Sequence, residues 1–199
     1  MTDSSALLEE ALQRFAALWR EAREQAVWEP DAMSLATVDA HGQPRLRTVL
    51  LKETSAHGFV FYTNYESRKG RDLSTNPRAA LCFFWRALRR QVMVEGKAVR
   101  LAGEASDAYF AARARTSQLS AWASEQSQPL SSREALDTRM EALEEKYAGR
   151  EVPRPPHWGG FRLVADMIEF WSPVTGRLNE RERYTRDGDG RWRFDLINP

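Results

Sequence analysis

The run MSLATVDAHGQPRLRTVLLKETSAHGFVFYT, Met33 to Thr63, decides the architecture. Within it, Met33–Val38, Leu46–Glu53 and Phe59–Thr63 read as short strands rich in β-branched and aromatic residues. Their links, Asp39-Ala40-His41-Gly42 and Ser55 to Gly58, carry turn residues and are too short to hold a helix. Antiparallel strands close through such turns, whereas parallel neighbours need a crossover of about a dozen residues. The expected fold class is therefore mainly β with helices (α+β), an antiparallel barrel and not a βαβ sheet.

Outward from that core, Leu8, Leu12, Phe15 and Trp19 fall on one face of an N-terminal helix, with Asp3 to Ser5 offering a cap. A short helix is expected over Lys69–Ser74, stopped by Asn76-Pro77, then strands over Ala79–Trp85 and Gln91–Leu101. Ser106–Ala123 reads as helical with a break near its middle. Ser131 and Glu134 form a capping box before the stripe Leu136, Met140, Leu143, Tyr147. VPRPP is a stiff connector. Strands return at Phe161–Val164, Met167–Trp171, Arg181–Arg186 and Trp192–Leu196. With no repeat and no linker, residues 1–199 read as a single domain: N-terminal helix 1–27, main barrel strands 33–101, helical insertion 106–148, C-terminal strands 160–199.

Composition narrows the function. The 199 residues are 42% hydrophobic and 29% charged, ordinary for a soluble globular protein. The net charge of +1 offers no global basic field, so nucleic acid is not an expected partner and any anion site must be local. The lone Cys82 forbids an internal disulfide and sits in an apolar run, which predicts a buried, unreactive thiol. No apolar run approaches ~18 residues and the N-terminus has no signal pattern, so no membrane span and a cytoplasmic location are expected. His41, His57 and His157 stand singly beside Gly or Pro, which argues against a metal site.

The chemistry gathers in four places. Ser67-Arg68-Lys69-Gly70 follows a strand and suits an anion, yet neither GxGxxG nor GxxxxGK[ST] is present. Tyr109, Arg113 and Ser117 recur every four residues, so a continuous helix would project them from one face, as phosphate donors or as a solvated stripe. Arg47 and Lys52 are an odd number apart and point to opposite faces of a regular strand unless a bulge intervenes. Gln91, Gln126 and Ser127 are neutral donors and acceptors that can match the alternating C=O and N–H edge of an isoalloxazine or simply stand as surface polar groups. In the run from Trp171 to Arg181, residues Arg177, Asn179 and Arg181 share parity, so an extended chain would present them together or pair them with Glu180 and Glu182.

Taken together and in order, RTVLLK, FVFYTNYESRKG, NPRAAL, RQVMVEGKAVRL, SDAYFAARARTSQLSAWASEQSQPLSSR, VPRPPHWGGFRL, IEFW and RLNER resemble the pyridoxine (pyridoxamine) 5′-phosphate oxidase family from about Met33 onward. The resemblance implies a split β-barrel homodimer with FMN at the subunit interface. Carried over by position, the FMN contacts fall on Arg47, Thr48, Val49, Leu50, Leu51, Lys52, Tyr62, Thr63, Arg68, Lys69, Gln91, Gln126, Ser127, Trp171 and Arg181. Substrate contacts fall on Lys52, Tyr109, Arg113, Ser117 and Arg177, with Asn179 beside Arg177 at the catalytic position. The implied reaction oxidises pyridoxine 5′-phosphate or pyridoxamine 5′-phosphate to pyridoxal 5′-phosphate, a step of vitamin B6 biosynthesis. Hydride passes to the flavin, O2 reoxidises it to give H2O2, and the amine substrate also yields ammonia.

Three departures stand out. The family's RLHDR reads Arg177-Leu178-Asn179-Glu180-Arg181, and asparagine cannot carry the charge that histidine can. The family's RPR reads Arg113-Ala114-Arg115, so no proline imposes a helix break. The basic segment that many members carry before the first helix is missing, and any lid role it plays is expected to be absent or replaced.

Overall fold

The hairpins form as antiparallel pairs. In the computed structural model, which describes residues 4–199, β1 (Ala32–Val38) lies against β2 (Pro44–Leu50) with Leu35 opposite Arg47. The expected strand Leu46–Glu53 is two pieces, because the chain changes partner at its middle. Leu51 N donates to Asp31 O (2.9 Å), whereas Lys52 N donates to Val60 O (2.8 Å). There β3 (Glu53–Ser55) begins pairing with β4 (Gly58–Asn64). Leu51 is driven fully into the core at this crossing.

After α2 (Arg68–Thr75), β5 (Arg78–Trp85) and β6 (Arg90–Arg100) form a second hairpin. The two strands expected near residues 161 and 171 are one, β7 (Trp158–Ser172). Its first half pairs with β4, with Phe61 opposite Phe161, and its second half pairs with β8 (Glu180–Arg186), with Trp171 opposite Arg181. β6 runs along both halves, and its register shifts at Glu95/Gly96. Backbone approaches so closely there that a Cβ on Gly96 would sit 2.0 Å from Val164 O. Among the described residues the sheet holds nine strands in the order β2-β1-β5-β6-β7-β4-β3, and β8 and β9 (Trp192–Leu196) branch from β7. The fold is an antiparallel split barrel with helices.

α1 (Ser4–Glu24) covers the barrel, and Asp3 of the expected cap lies outside the described residues. Phe15 meets Phe83 and Phe59 edge-on, at 4.9 and 5.0 Å between ring centroids. The break expected within residues 106–123 is present. α3 (Gly103–Ala111) stops and α4 (Arg115–Ala123) restarts without a proline. The buried Gln118 amide donates to Ala111 O (3.2 Å), a carbonyl at the end of α3, and gives Phe110 O (3.0 Å) a further donor. The cap of α5 (Arg133–Lys146) moves one residue on, since it is Ser132 Oγ that accepts from Ala135 N (3.2 Å). Cys82 is only half-buried, because alternation along β5 sends Leu81 and Phe83 inward and Cys82 to the opposite face. Desolvation pushes its thiol pKa up. No helix among the described residues is long and apolar enough to cross a membrane.

Candidate functional site

A cleft of about 700 Å³ opens between the β2–β4 region and the α3–α4 turn. Thr48, Val49, Leu50, Lys52, Tyr62, Thr63, Lys69, Tyr109, Arg113, Ser117 and Gln126 all line it. Tyr109, Arg113 and Ser117 do converge, though not from one helix face. The turn at residues 112–114 carries Arg113 from α3 to α4, and Arg113 N closes it on Phe110 O (3.1 Å). Tyr62, Tyr109 and Trp158 stack almost parallel, with 3.8 Å between the tyrosine centroids and 5.5 Å from Tyr62 to Trp158. The Arg113 guanidinium lies 4.5 Å from the Trp158 ring. Its Nη1 is buried with no hydrogen-bond partner, and burial lowers its pKa while Tyr109 opposes that shift. A buried, unpartnered guanidinium nitrogen is an expensive feature unless an anion completes it.

A second cleft of about 540 Å³ adjoins the first, and Lys69 and Gln126 line both. Its other walls are Arg45, Leu46, Arg47, Arg68 and Ser127. α2 aims its first turn here, because Ser67 caps it by accepting from Gly70 N (3.3 Å). Gly70 is required where it stands, since a Cβ would lie 2.2 Å from Tyr65 O. Lys69 is 9% exposed, and its ammonium has only neutral partners, Gln126 Oε1 (2.9 Å) and Ser67 Oγ (3.2 Å). Burial, then the nearby Arg47 charge, pushes its pKa down to about 8. Arg47 and Lys52 thus serve different clefts, and no bulge unites them.

The remaining expected residues lie elsewhere on the chain. Leu51 is core. Gln91, Trp171 and Arg181 form a row across β6, β7 and β8, each directly opposite the next. Arg181 donates to Glu169 Oε1 (2.9 Å) and Oε2 (3.2 Å), and Arg183 Nε donates to the same carboxylate (2.7 Å). Burial alone would raise the Glu169 pKa, but these two arginines bring it below the usual value. Arg177 and Asn179 precede β8 and do not share an extended face. Gly176 and Arg177 take positive φ values of 79° and 63°, which curls the segment. Asn179 Oδ1 accepts from Val174 N (3.3 Å) and holds that turn.

Trp158, Asn64, Ser120 and Ser124 line the first cleft without having been singled out as site residues. Trp158 was legible only as part of the HWGGF run, since nothing local marks its contact with Arg113. No group of three or more His, Cys, Asp or Glu side chains suited to a metal occurs among the described residues.

Residues 18–147 match the family described as Pyridoxamine 5'-phosphate oxidase, and residues 158–199 match the Pyridoxine 5'-phosphate oxidase C-terminal dimerisation region. The chain is 53% identical over 188 residues to a pyridoxine/pyridoxamine 5'-phosphate oxidase of Myxococcus xanthus (strain DK1622), covering 94% of this chain and 91% of that protein. It is 51% identical over 202 residues to the protein of that name from Xanthomonas axonopodis pv. citri (strain 306), with all of both chains covered. Among solved structures, PhzG from Burkholderia lata 383, in complex with tetrahydrophenazine-1-carboxylic acid, superposes with a TM-score of 0.87 at 34% identity, covering 94% of this chain and 90% of that one. A pyridoxamine 5'-phosphate oxidase-related, FMN binding protein from Nostoc punctiforme shares the fold, with a TM-score of 0.73 at 19% identity and coverage of 94% and 96%.

Proposed function

This chain belongs to the pyridoxamine 5′-phosphate oxidase family, and from that premise we propose that it is an FMN-dependent oxidase converting pyridoxine 5′-phosphate or pyridoxamine 5′-phosphate to pyridoxal 5′-phosphate. The observation that carries the reading is the pair of adjoining clefts, each with its own cations, in a chain of net charge +1. Two phosphates held side by side require such an arrangement, and a carrier of one phosphate does not.

The second cleft fits the phosphate end of FMN. Arg45, Arg47, Arg68 and Lys69 line it with no carboxylate among them, and the Lys69 ammonium lacks an anionic partner. Gln126, which lines both clefts, and Thr63, bonded to it across 3.4 Å in the first, offer neutral groups to a ring edge. When bound, FMN supplies the two-electron acceptor for oxidation at the substrate's C4′, with O2 as the final acceptor.

The chain's own residues bind and orient. Lys52, Tyr109, Arg113 and Ser117 hold the substrate phosphate as a remote handle, and that positions the reacting carbon. The stack of Tyr62, Tyr109 and Trp158 walls the cleft and keeps Arg113 aimed inward. No carboxylate and no histidine among the described residues lines the cleft, so the protein provides placement and positive potential, not a strong base. Residues 1–199 act as one FMN-binding domain in a cytoplasmic homodimer. The row Gln91–Trp171–Arg181, with Arg177 and Asn179, completes the site of a second copy; the match of residues 158–199 to a dimerisation region supports that arrangement.

A second reading, an oxidase of the same barrel acting on another substrate, is favoured by Asn179 at the family's histidine position and by the likeness to PhzG. One anaerobic experiment separates the two. FMN-loaded protein is mixed with pyridoxine 5′-phosphate and then with the amine, and visible absorption is followed. Bleaching that air reverses, with pyridoxal 5′-phosphate formed, is the expected result. A flavin that binds and never bleaches with either vitamer refutes oxidation of these vitamers and leaves another substrate or a non-catalytic carrier of FMN or pyridoxal phosphate.

A further inference from the structure

Behind the cations of the second cleft lies a carboxylate that does not line it. Asp72 follows Arg68 by four residues and Lys69 by three on α2, and its side chain is 3% exposed. Oδ1 accepts from Arg45 Nη1 (2.6 Å), and Oδ2 accepts from the Thr37 hydroxyl (2.8 Å). That hydroxyl, itself buried on β1, in turn accepts from Arg47 Nη1 (2.7 Å). The other hydrogen of Nη1 goes to Leu35 O (3.1 Å). Nη2 stands 3.7 Å from Asp72 Oδ2, beyond hydrogen-bond reach. Nη1 is thus fully used by the protein, while Nε and Nη2 have no hydrogen-bond partner among the described residues and remain available to an anion.

We propose that Asp72 is a positioning residue which, through the Thr37 hydroxyl, sets the Arg47 guanidinium for the phosphate of the bound flavin. The inference rests on the FMN reading above and adds residues that touch no ligand. Its chemistry depends on a carboxylate accepting at both oxygens. A carboxamide at position 72 must turn an NH2 toward Arg45 or toward Thr37. In the first case two donors confront each other. In the second the Thr37 hydroxyl accepts twice, and its own hydrogen loses its acceptor. Either arrangement loosens the brace on Arg47.

Charge alone predicts the opposite sign. Removing a negative group from behind an anion site strengthens its attraction for phosphate. Positioning predicts weaker binding from the same substitution, so the direction of the change decides between them.

The test compares FMN with riboflavin, which lacks the phosphate, by quenching of flavin fluorescence on the full-length wild type, Asp72→Asn and Thr37→Val. Riboflavin reports the ring site and the integrity of the fold. Wild type is expected to hold FMN more tightly than riboflavin. Each variant is expected to lose about tenfold or more in FMN affinity, the worth of one charge-assisted hydrogen bond, with riboflavin unchanged. Thr37→Val keeps the charge and nearly the shape while cutting the relay, so it decides the matter if Asp72→Asn does not fold. An FMN affinity unchanged or raised in a folded variant overturns the proposal. So does an equal loss of both flavins, which makes Asp72 a structural residue only. A wild type that holds FMN no better than riboflavin refutes the FMN reading itself, before any variant is compared.

Discussion

Replacing Arg113 by methionine tests whether the first cleft is built for a phosphate. In the free protein the guanidinium carries two opposed contributions. Its buried Nη1 lacks a partner, a loss of about 1–3 kcal/mol, and its position 4.5 Å from the Trp158 ring returns about 0.5–2 kcal/mol. Methionine keeps the flexible stem and removes both, so the free protein should lose no more than ~1 kcal/mol of stability and gain at most ~2.5 kcal/mol. With a phosphate bound the balance differs, because a charge-assisted hydrogen bond worth about 1.5–3 kcal/mol is lost. KM for pyridoxine 5′-phosphate should then rise roughly tenfold to 150-fold, with FMN affinity unchanged. Urea unfolding, initial rates and flavin titration on one preparation read all three quantities. A stability loss above ~2 kcal/mol with KM unmoved would make Arg113 a structural cation and remove it from the substrate site.

Other perturbations follow from the same geometry. In the free protein Lys69 releases its proton near pH 8 instead of 10.5, so FMN affinity should fall as pH rises through about 8, and Lys69→Met should flatten that profile. The unfolded chain binds more protons between those values, so apo-protein stability should instead rise with pH across that window. Asn179→His should raise kcat/KM with either vitamer by restoring a group that can carry charge; a decrease would mean that the bond from Val174 N to Asn179 Oδ1 matters more than the charge. Glu169→Gln leaves Arg181 and Arg183 without their shared carboxylate and should destabilise the fold by about 3 kcal/mol in urea at pH 7, an effect that should shrink in acid as wild-type Glu169 is protonated. Gly70→Ala meets backbone at Tyr65 and should weaken FMN binding together with stability, by about 1–3 kcal/mol in the melt; an unperturbed variant would show that α2 shifts freely.

Sequence alone determined the barrel, because alternation and short turns are local. The run from Met33 to Thr63 can close only as hairpins, and Trp192–Leu196 forms as a strand with the expected bounds. What spacing could not supply was the path between elements. Leu46–Glu53 reads as one strand, since the exchange of β1 for β4 at Leu51 depends on the bond from Leu51 N to Asp31 O, whose residue is distant in the chain, as well as on the pairing of Lys52 N with Val60 O. Tyr109, Arg113 and Ser117 read as a single helix face, and they meet across a turn that Gln118 stabilises from several residues away.

The candidate site divides the same way. Its cations were visible as residue types, and the resemblance assigned them two phosphates, but parity left Arg47 and Lys52 unresolved. Only the folded chain set them in separate, adjoining clefts and placed Trp158 beneath Arg113 and Asp72 behind Arg47. A side chain's type is written at one position. The direction in which it points, and whether its charge is neutralised, depend on groups that folding brings within a few ångströms from tens of residues away.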